Sequence, residues 1–153
     1  MSAYLDASVL TATVIDEPAT YTVRAFLIAS TQELLVGDFA AAEVASAVSR
    51  LVRMREVTAE DASSRIDDFE IWRAATSSPV EVHAADARLA YAYVRRFDLR
   101  LRAPDALHLA IARRLDATLV TLDRRLANAA RELGVSVAVP GAVPGTDSAG
   151  DPR

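Results

Sequence analysis

The stretch Thr118-Leu119-Val120-Thr121-Leu122, followed at once by Asp123, is β-branched and apolar with no polar alternation. A strand of that make-up is covered on both faces, the condition of strands in a parallel sheet flanked by helices. The sequence on either side agrees. Asp123 to Leu133 carries apolar residues at helical spacing and is closed by Gly134, and Val135 to Val139 reads as a last strand. Upstream, Pro104 opens a helix from Asp105 to about Leu115 that is apolar on nearly every face, so it is expected in the interior.

Toward the N-terminus the alternation continues. Ala3-Tyr4-Leu5 reads as a first strand, and the small residues after Asp6 as a loop. Helical spacing over Ala19 to Ala29 is followed by a strand at Leu34-Leu35-Val36, ended by Gly37. Asp38 is the expected N-cap of a helix running to about Met54, with Val44, Val48, Leu51 and Val52 on its apolar stripe. Thr58 with Asp61 three residues on predicts the start of another helix, to about Ala75. Ser77-Ser78-Pro79 breaks the chain, Val80-Glu81-Val82 is a short strand or an extended linker, and Ala84 to Phe97 is helical. Such alternation implies an α/β fold, with any ligand site beyond the carboxyl ends of the strands.

Composition narrows the function. A length of 153 residues suits one core, and 52% apolar with 25% charged residues is the balance of a compact protein rather than of a disordered chain. No apolar run reaches the roughly eighteen residues of a membrane helix, and the first residues lack the basic-then-apolar pattern of a leader, so the expected location is cytoplasmic with no membrane partner. The chain has no cysteine, which leaves oxygen and histidine as the available metal donors. A net charge of −4 argues against a nonspecific nucleic-acid coat, though an acidic site bridged to RNA by a divalent cation is compatible with it.

Four acids stand at telling places. Asp6 follows the first strand and Asp123 follows the Thr118 strand, where functional groups collect in open α/β sheets. Asp105 sits one residue after Pro104 at the start of the interior helix, and Glu43 flanks an apolar helix stripe. Each has an ordinary alternative: capping for Asp123, a helix-dipole contact for Asp105, a solvated flank for Glu43. If the four converge they repel one another, and Mg²⁺ or Mn²⁺ is the cation that hard oxygen donors favour. Ser8 and Thr121 carry hydroxyls suited to orienting such a carboxylate or a water.

The blocks Tyr4-Leu5-Asp6-Ala7-Ser8, Ala42-Glu43-Val44, Pro104-Asp105-Ala106-Leu107-His108-Leu109-Ala110 and Leu119-Val120-Thr121-Leu122-Asp123-Arg124 resemble, in order and spacing, the four acidic blocks of PIN-domain ribonucleases. The third block is similar to that of the VapC toxins. The resemblance implies a three-layer α/β/α sandwich with a central parallel sheet of four to five strands over residues 1–139, leaving 140–153 as a disordered tail. It implies Mg²⁺- or Mn²⁺-dependent cleavage of single-stranded RNA by Asp6, Glu43, Asp105 and Asp123. It also implies a homodimer and a cognate antitoxin partner in a toxin–antitoxin pair.

Other residues carry weaker signals. Arg95, Arg96, Arg100 and Arg102 precede Asp105 and are candidates for RNA phosphates or for a solvated helix end. His108 either hydrogen-bonds Asp105 or is a buried structural histidine; His83 and Asp86 read as first-turn residues, and Trp72 as packing. Phe26, Leu27 and Ile28 belong to the core or to a partner groove. The remaining alternatives are a catalytically silent module and a haloacid-dehalogenase-type phosphatase. The latter places a second aspartate where Ser8 stands. The absence of lysine removes a receiver domain, and Gly37 as first glycine removes a dinucleotide turn.

Overall fold

The computed structural model describes residues 1–142. The chain runs β1 (Ser2–Leu5), α1 (Ala7–Val14), α2 (Thr20–Ala29), β2 (Glu33–Gly37), α3 (Asp38–Arg53), α4 (Ala59–Thr76) and β3 (Ser77–Val80). It continues through α5 (Ala84–Val94), a 3₁₀ turn at Phe97–Leu99, α6 (Ala103–Arg114), β4 (Thr118–Val120), α7 (Arg124–Glu132) and β5 (Val137–Ala138). All strand pairs are parallel, in the order β3-β2-β1-β4-β5. β1 is therefore central. The chain leaves it on one side for β2 and β3 and later returns to its other side for β4 and β5, so a crevice opens beyond the ends of β1 and β4.

Strand alternation divides the core into two layers. Tyr4, Leu35 and Leu119 point into one, where Tyr93 of α5, Leu109 and Ile111 of α6 and Leu126 of α7 cover them. Ala3, Leu5, Val36 and Val120 point into the other, against Val9 and Leu10 of α1, Val23 of α2, Val44 of α3 and Phe69 of α4. The result is the expected three-layer α/β/α sandwich, with five strands. Among the described residues, no helix is long and apolar enough to cross a membrane.

Several boundaries differ from the sequence reading. The expected loop after Asp6 is helix α1, started by the Asp6 side chain accepting from Val9 N–H at 3.1 Å and held by burial of Val9, Leu10 and Ala12. Tertiary burial here overrides the modest propensity of its Ser, Val and Thr residues. Asp38 is the first residue of α3 and Gly37 its N-cap; the Asp38 carboxylate instead pairs with Arg73. The third strand is Ser77–Val80 rather than Val80–Val82, and Pro79 fits within it because β3 is an edge. Helix α5 ends at Val94, not Phe97, before Arg100 takes a left-handed conformation with φ 52°. The ladders of β4 and β5 are shorter than expected, although Thr121 N–H still donates to Ala138 O at 3.1 Å. Within the expected tail, Pro140 is buried and Ala142 N–H closes a turn onto Val139 O; 143–153 lie outside the described residues.

One buried ion pair fastens α5 to α6. The Asp86 side chain is 2% exposed and accepts from Arg114 Nε at 2.7 Å, from Arg114 Nη2 at 3.0 Å and from His83 N–H at 2.8 Å. Burial alone pushes the Asp86 carboxyl up, but the Arg114 and His83 donors outweigh it and hold the group below the usual carboxylate range. A carboxyl depressed in the folded state contributes stability that is complete above its unfolded pKa of about 3.9 and is lost as pH falls through the folded value. Urea unfolding should therefore show Arg114→Ala destabilising the protein by about 3 kcal/mol at pH 7. Asp86→Asn should make the loss of stability below about pH 4 shallower than in the wild type. An acid limb identical in both proteins contradicts this account.

Candidate active site

Asp6 stands just past the end of β1, where its backbone N–H donates to Val120 O at 3.1 Å and ties the strand end to β4. Three donors hold its carboxylate and leave Oδ2 with acceptor capacity to spare. Oδ1 accepts from Ser8 Oγ at 2.6 Å and Val9 N–H at 3.1 Å, and Oδ2 accepts from Thr121 Oγ1 at 2.6 Å. The two hydroxyls also accept, Ser8 from Leu122 N–H at 2.9 Å and Thr121 from Asp123 N–H at 3.0 Å. The loop after β4 is thereby stitched to the loop after β1, and Leu122 packs its side chain against the second core layer. Asp6 is 3% exposed; burial drives its carboxyl upward against the opposing pull of His108, Ser8, Thr121 and Val9.

Asp105 is the third residue of α6 and reaches back to the Arg102 backbone, the geometry of a helix start. Burial raises its carboxyl first, the charge of Asp123 adds to that, the Arg102 backbone and His108 oppose it, and Asp6 raises it further. Asp105 thus lies within electrostatic reach of both Asp123 and Asp6. Asp123 is the N-cap of α7, but both capping bonds, from Arg125 N–H at 2.7 Å and Leu126 N–H at 3.2 Å, fall on Oδ1. Its second oxygen is not used by the cap.

Glu43 comes from α3, and its Oε2 meets His108 Nε2 at 2.6 Å. His108 does not bond Asp105, one of the two roles the sequence left open for it; its other nitrogen, Nδ1, meets the Tyr4 hydroxyl at 2.9 Å. This Tyr4–His108–Glu43 chain was missed from sequence, since its members come from three elements 104 residues apart at the widest. The one available signal was a histidine among the apolar residues Ala106 to Ala112 of an interior helix.

The four arginines do not act together. Arg95 lies over the Tyr91 ring at 5.6 Å, and Arg96 is paired with Asp98 at 2.5 Å and Glu132 at 2.8 Å. Arg100 is exposed on the turn before α6, and Arg102 is exposed at its N-cap. Only Arg102 adjoins a candidate carboxylate, through its backbone.

Among the described residues, no three acid or histidine side chains are already gathered into a metal cage. The donor chemistry nevertheless fits a small divalent cation: Asp6 and Asp123 both engage Thr121, burial pushes the Asp6 carboxyl up, and burial with the charges of Asp123 and Asp6 pushes up that of Asp105. A cleft of about 350 Å³ is lined by Ser8, Leu122 and Asp123 together with Ala7, Thr11 and Glu17.

Residues 3–132 match the model of the PIN domain family. The chain belongs to the PIN domain family. Solved structures share the fold at low identity. FitAcB from Neisseria gonorrhoeae is 21% identical, with 92% of this chain and 99% of that one covered and a TM-score of 0.69. A sarcin–ricin-loop-cleaving VapC toxin of Mycobacterium tuberculosis is 17% identical, covering 84% and 95%, with a TM-score of 0.66. A toxin–antitoxin complex from Klebsiella pneumoniae is 16% identical, covering 93% and 100%, with a TM-score of 0.65. No curated protein matches significantly.

The raised carboxyls of this PIN domain bear on its stability. Asp105→Asn removes one charge from the crowded crevice and should raise the melting temperature in EDTA by about 2–4 °C, the shift of roughly 1 kcal/mol in a chain this size. Thr121→Val should lower it, because Asp6 Oδ2 loses its buried donor. A calorimetric scan in which Asp105→Asn melts lower than wild type sinks the electrostatic part of this account.

Proposed function

We propose that this PIN domain is a metal-dependent endoribonuclease that hydrolyses phosphodiester bonds of single-stranded RNA, and that it is the toxin of a toxin–antitoxin pair. The observation that carries the reading is that Asp6 and Asp123 are tied together through Thr121 past the ends of β1 and β4, with the charges of both acting on the Asp105 carboxyl. Likeness in fold to a toxin that cleaves the sarcin–ricin loop and to a toxin–antitoxin complex supports it.

In this reading Asp6, Asp105, Asp123 and Glu43 hold Mg²⁺ or Mn²⁺. A cation there supplies a more acidic water and neutralises charge on the phosphoryl group. Asp6 contributes a fixed ligand, because Ser8, Thr121 and the Val9 N–H leave its carboxylate no freedom to rotate. Asp105 and Asp123 would contribute partly exposed carboxylates on helix starts. Arg102, exposed at the start of α6, is proposed to meet an RNA phosphate entering beside Asp105. Ser8 stands where a dehalogenase-type phosphatase needs its second aspartate, and here it serves Asp6 as a donor, which disfavours that alternative.

A groove of about 680 Å³ between α1, α2 and α4 is the proposed antitoxin seat, with Leu27, Ile28, Phe69 and Trp72 as apolar contacts and Arg24, Arg65, Asp61 and Asp68 among its charged lining residues. Ile28, 86% exposed, has no role in the core that would explain it. The protein is proposed to work in the cytoplasm as a homodimer.

With Mg²⁺ or Mn²⁺ the purified protein should cut single-stranded RNA, and Asp6→Ala or Asp105→Ala should each reduce the rate by about 100-fold or more. Undiminished cutting in EDTA would falsify the metal-dependent reading. Induced expression without an antitoxin should arrest growth, and the Asp105→Ala protein should not; equal growth of both cultures counts against the toxin role.

A further inference from the structure

We infer that Tyr4 and His108 are positioning residues that hold the Glu43 carboxylate in place for the cation. The inference deepens the proposed nuclease reading and rests on it.

The chain of contacts starts in the sheet. Tyr4 is fully buried on central strand β1, and its hydroxyl lies 2.9 Å from His108 Nδ1; Nε2 of the same ring lies 2.6 Å from Glu43 Oε2. An ionised carboxylate only accepts, so Nε2 carries the hydrogen that Glu43 receives. In a neutral ring Nδ1 is then the acceptor, and the Tyr4 hydroxyl donates to it.

Packing leaves this ring little choice. His108 is 2% exposed, with the Tyr4 and Phe39 rings tilted against it at 5.8 and 5.3 Å between centroids. Gly37 makes room for the hydroxyl: a Cβ at that position would stand 3.1 Å from it. At the other end of the chain the Glu43 side chain is 29% exposed. A histidine that only satisfied the core would have both partners buried. Here one partner is the strand and the other is a side chain partly open to solvent. A glutamate has three side-chain torsions to order when it binds a cation, and a histidine already holding one of its oxygens removes most of that loss.

The test is Mn²⁺ titration of the full chain by calorimetry, with folding checked by melting temperature. His108→Leu should weaken Mn²⁺ binding by about tenfold, Tyr4→Phe should weaken it in the same direction, and His108→Gln, whose amide can still donate to Glu43, should recover much of the loss. In a Glu43→Ala background none of the three should weaken binding further, which a merely structural role does not predict. If His108→Leu does not fold, Tyr4→Phe alone and in the Glu43→Ala background decides. Wild-type affinity in Tyr4→Phe and His108→Leu beside a weakened Glu43→Ala overturns the positioning role and leaves the nuclease reading standing. Equal further losses in the Glu43→Ala background overturn it as well. A wild-type chain that binds no Mn²⁺ removes the functional reading and this inference together.

Discussion

A carboxylate almost sealed from water at the end of the central strand is the constraint around which this molecule is organised. An unpaired charge in that position is prohibitive, so every lone pair direction of Asp6 that the fold can reach is given a donor. Those donors are Ser8 and Val9 from its own side and Thr121 from the neighbouring strand end. Because Ser8 and Thr121 in turn accept the N–H groups of Leu122 and Asp123, satisfying one side chain fixes two loops. The position of Asp123 relative to Asp6 follows from this network rather than from the sheet alone.

The second consequence concerns capping. Asp6 caps α1, Asp105 occupies the first turn of α6 and Asp123 caps α7, so three of the four candidate acids sit at helix starts. Capping and cation binding looked like competing explanations for Asp105 and Asp123 when only the sequence was considered. In the folded chain the two roles coexist, since capping at Asp123 uses one oxygen and leaves the other. The partial positive charge at helix N-termini also eases the repulsion among the acids while no cation is bound. A cluster that would otherwise split the fold apart is tolerated because it is also the set of helix caps.

What the sequence disclosed follows the range of the interactions involved. The covered strand at Thr118, the interior helix after Pro104 and the places of Asp6 and Asp123 are local patterns, and they led to the layered parallel sheet. Helix α1 was not legible, because its start depends on Asp6 folding back on Val9 and its stability on burial against β1, β2 and β4. β3 was displaced by three residues, since only an edge position makes a Ser-Ser-Pro strand acceptable, and edges are defined by the whole sheet. The Glu43–His108 contact joins α3 to α6 across the middle of the molecule, and no spacing rule reports it.

Glu43 differs from the three aspartates in how it is delivered. The aspartates sit on backbone turns at strand ends and helix starts, where short side chains are already near the crevice. Glu43 lies mid-helix on α3, whose buried face, with Ala40 and Val44, packs in the α1–α4 layer, while His108 belongs to α6 in the opposite layer. Their contact therefore passes around the end of the sheet and joins the two layers at the candidate site. A shift of α6 relative to α3 moves Glu43 through the imidazole, whereas Asp6 stays where β1 and β4 hold it. The fold thus offers one carboxylate whose place depends on strand pairing and another whose place depends on helix packing, and the crevice is complete only when both are set.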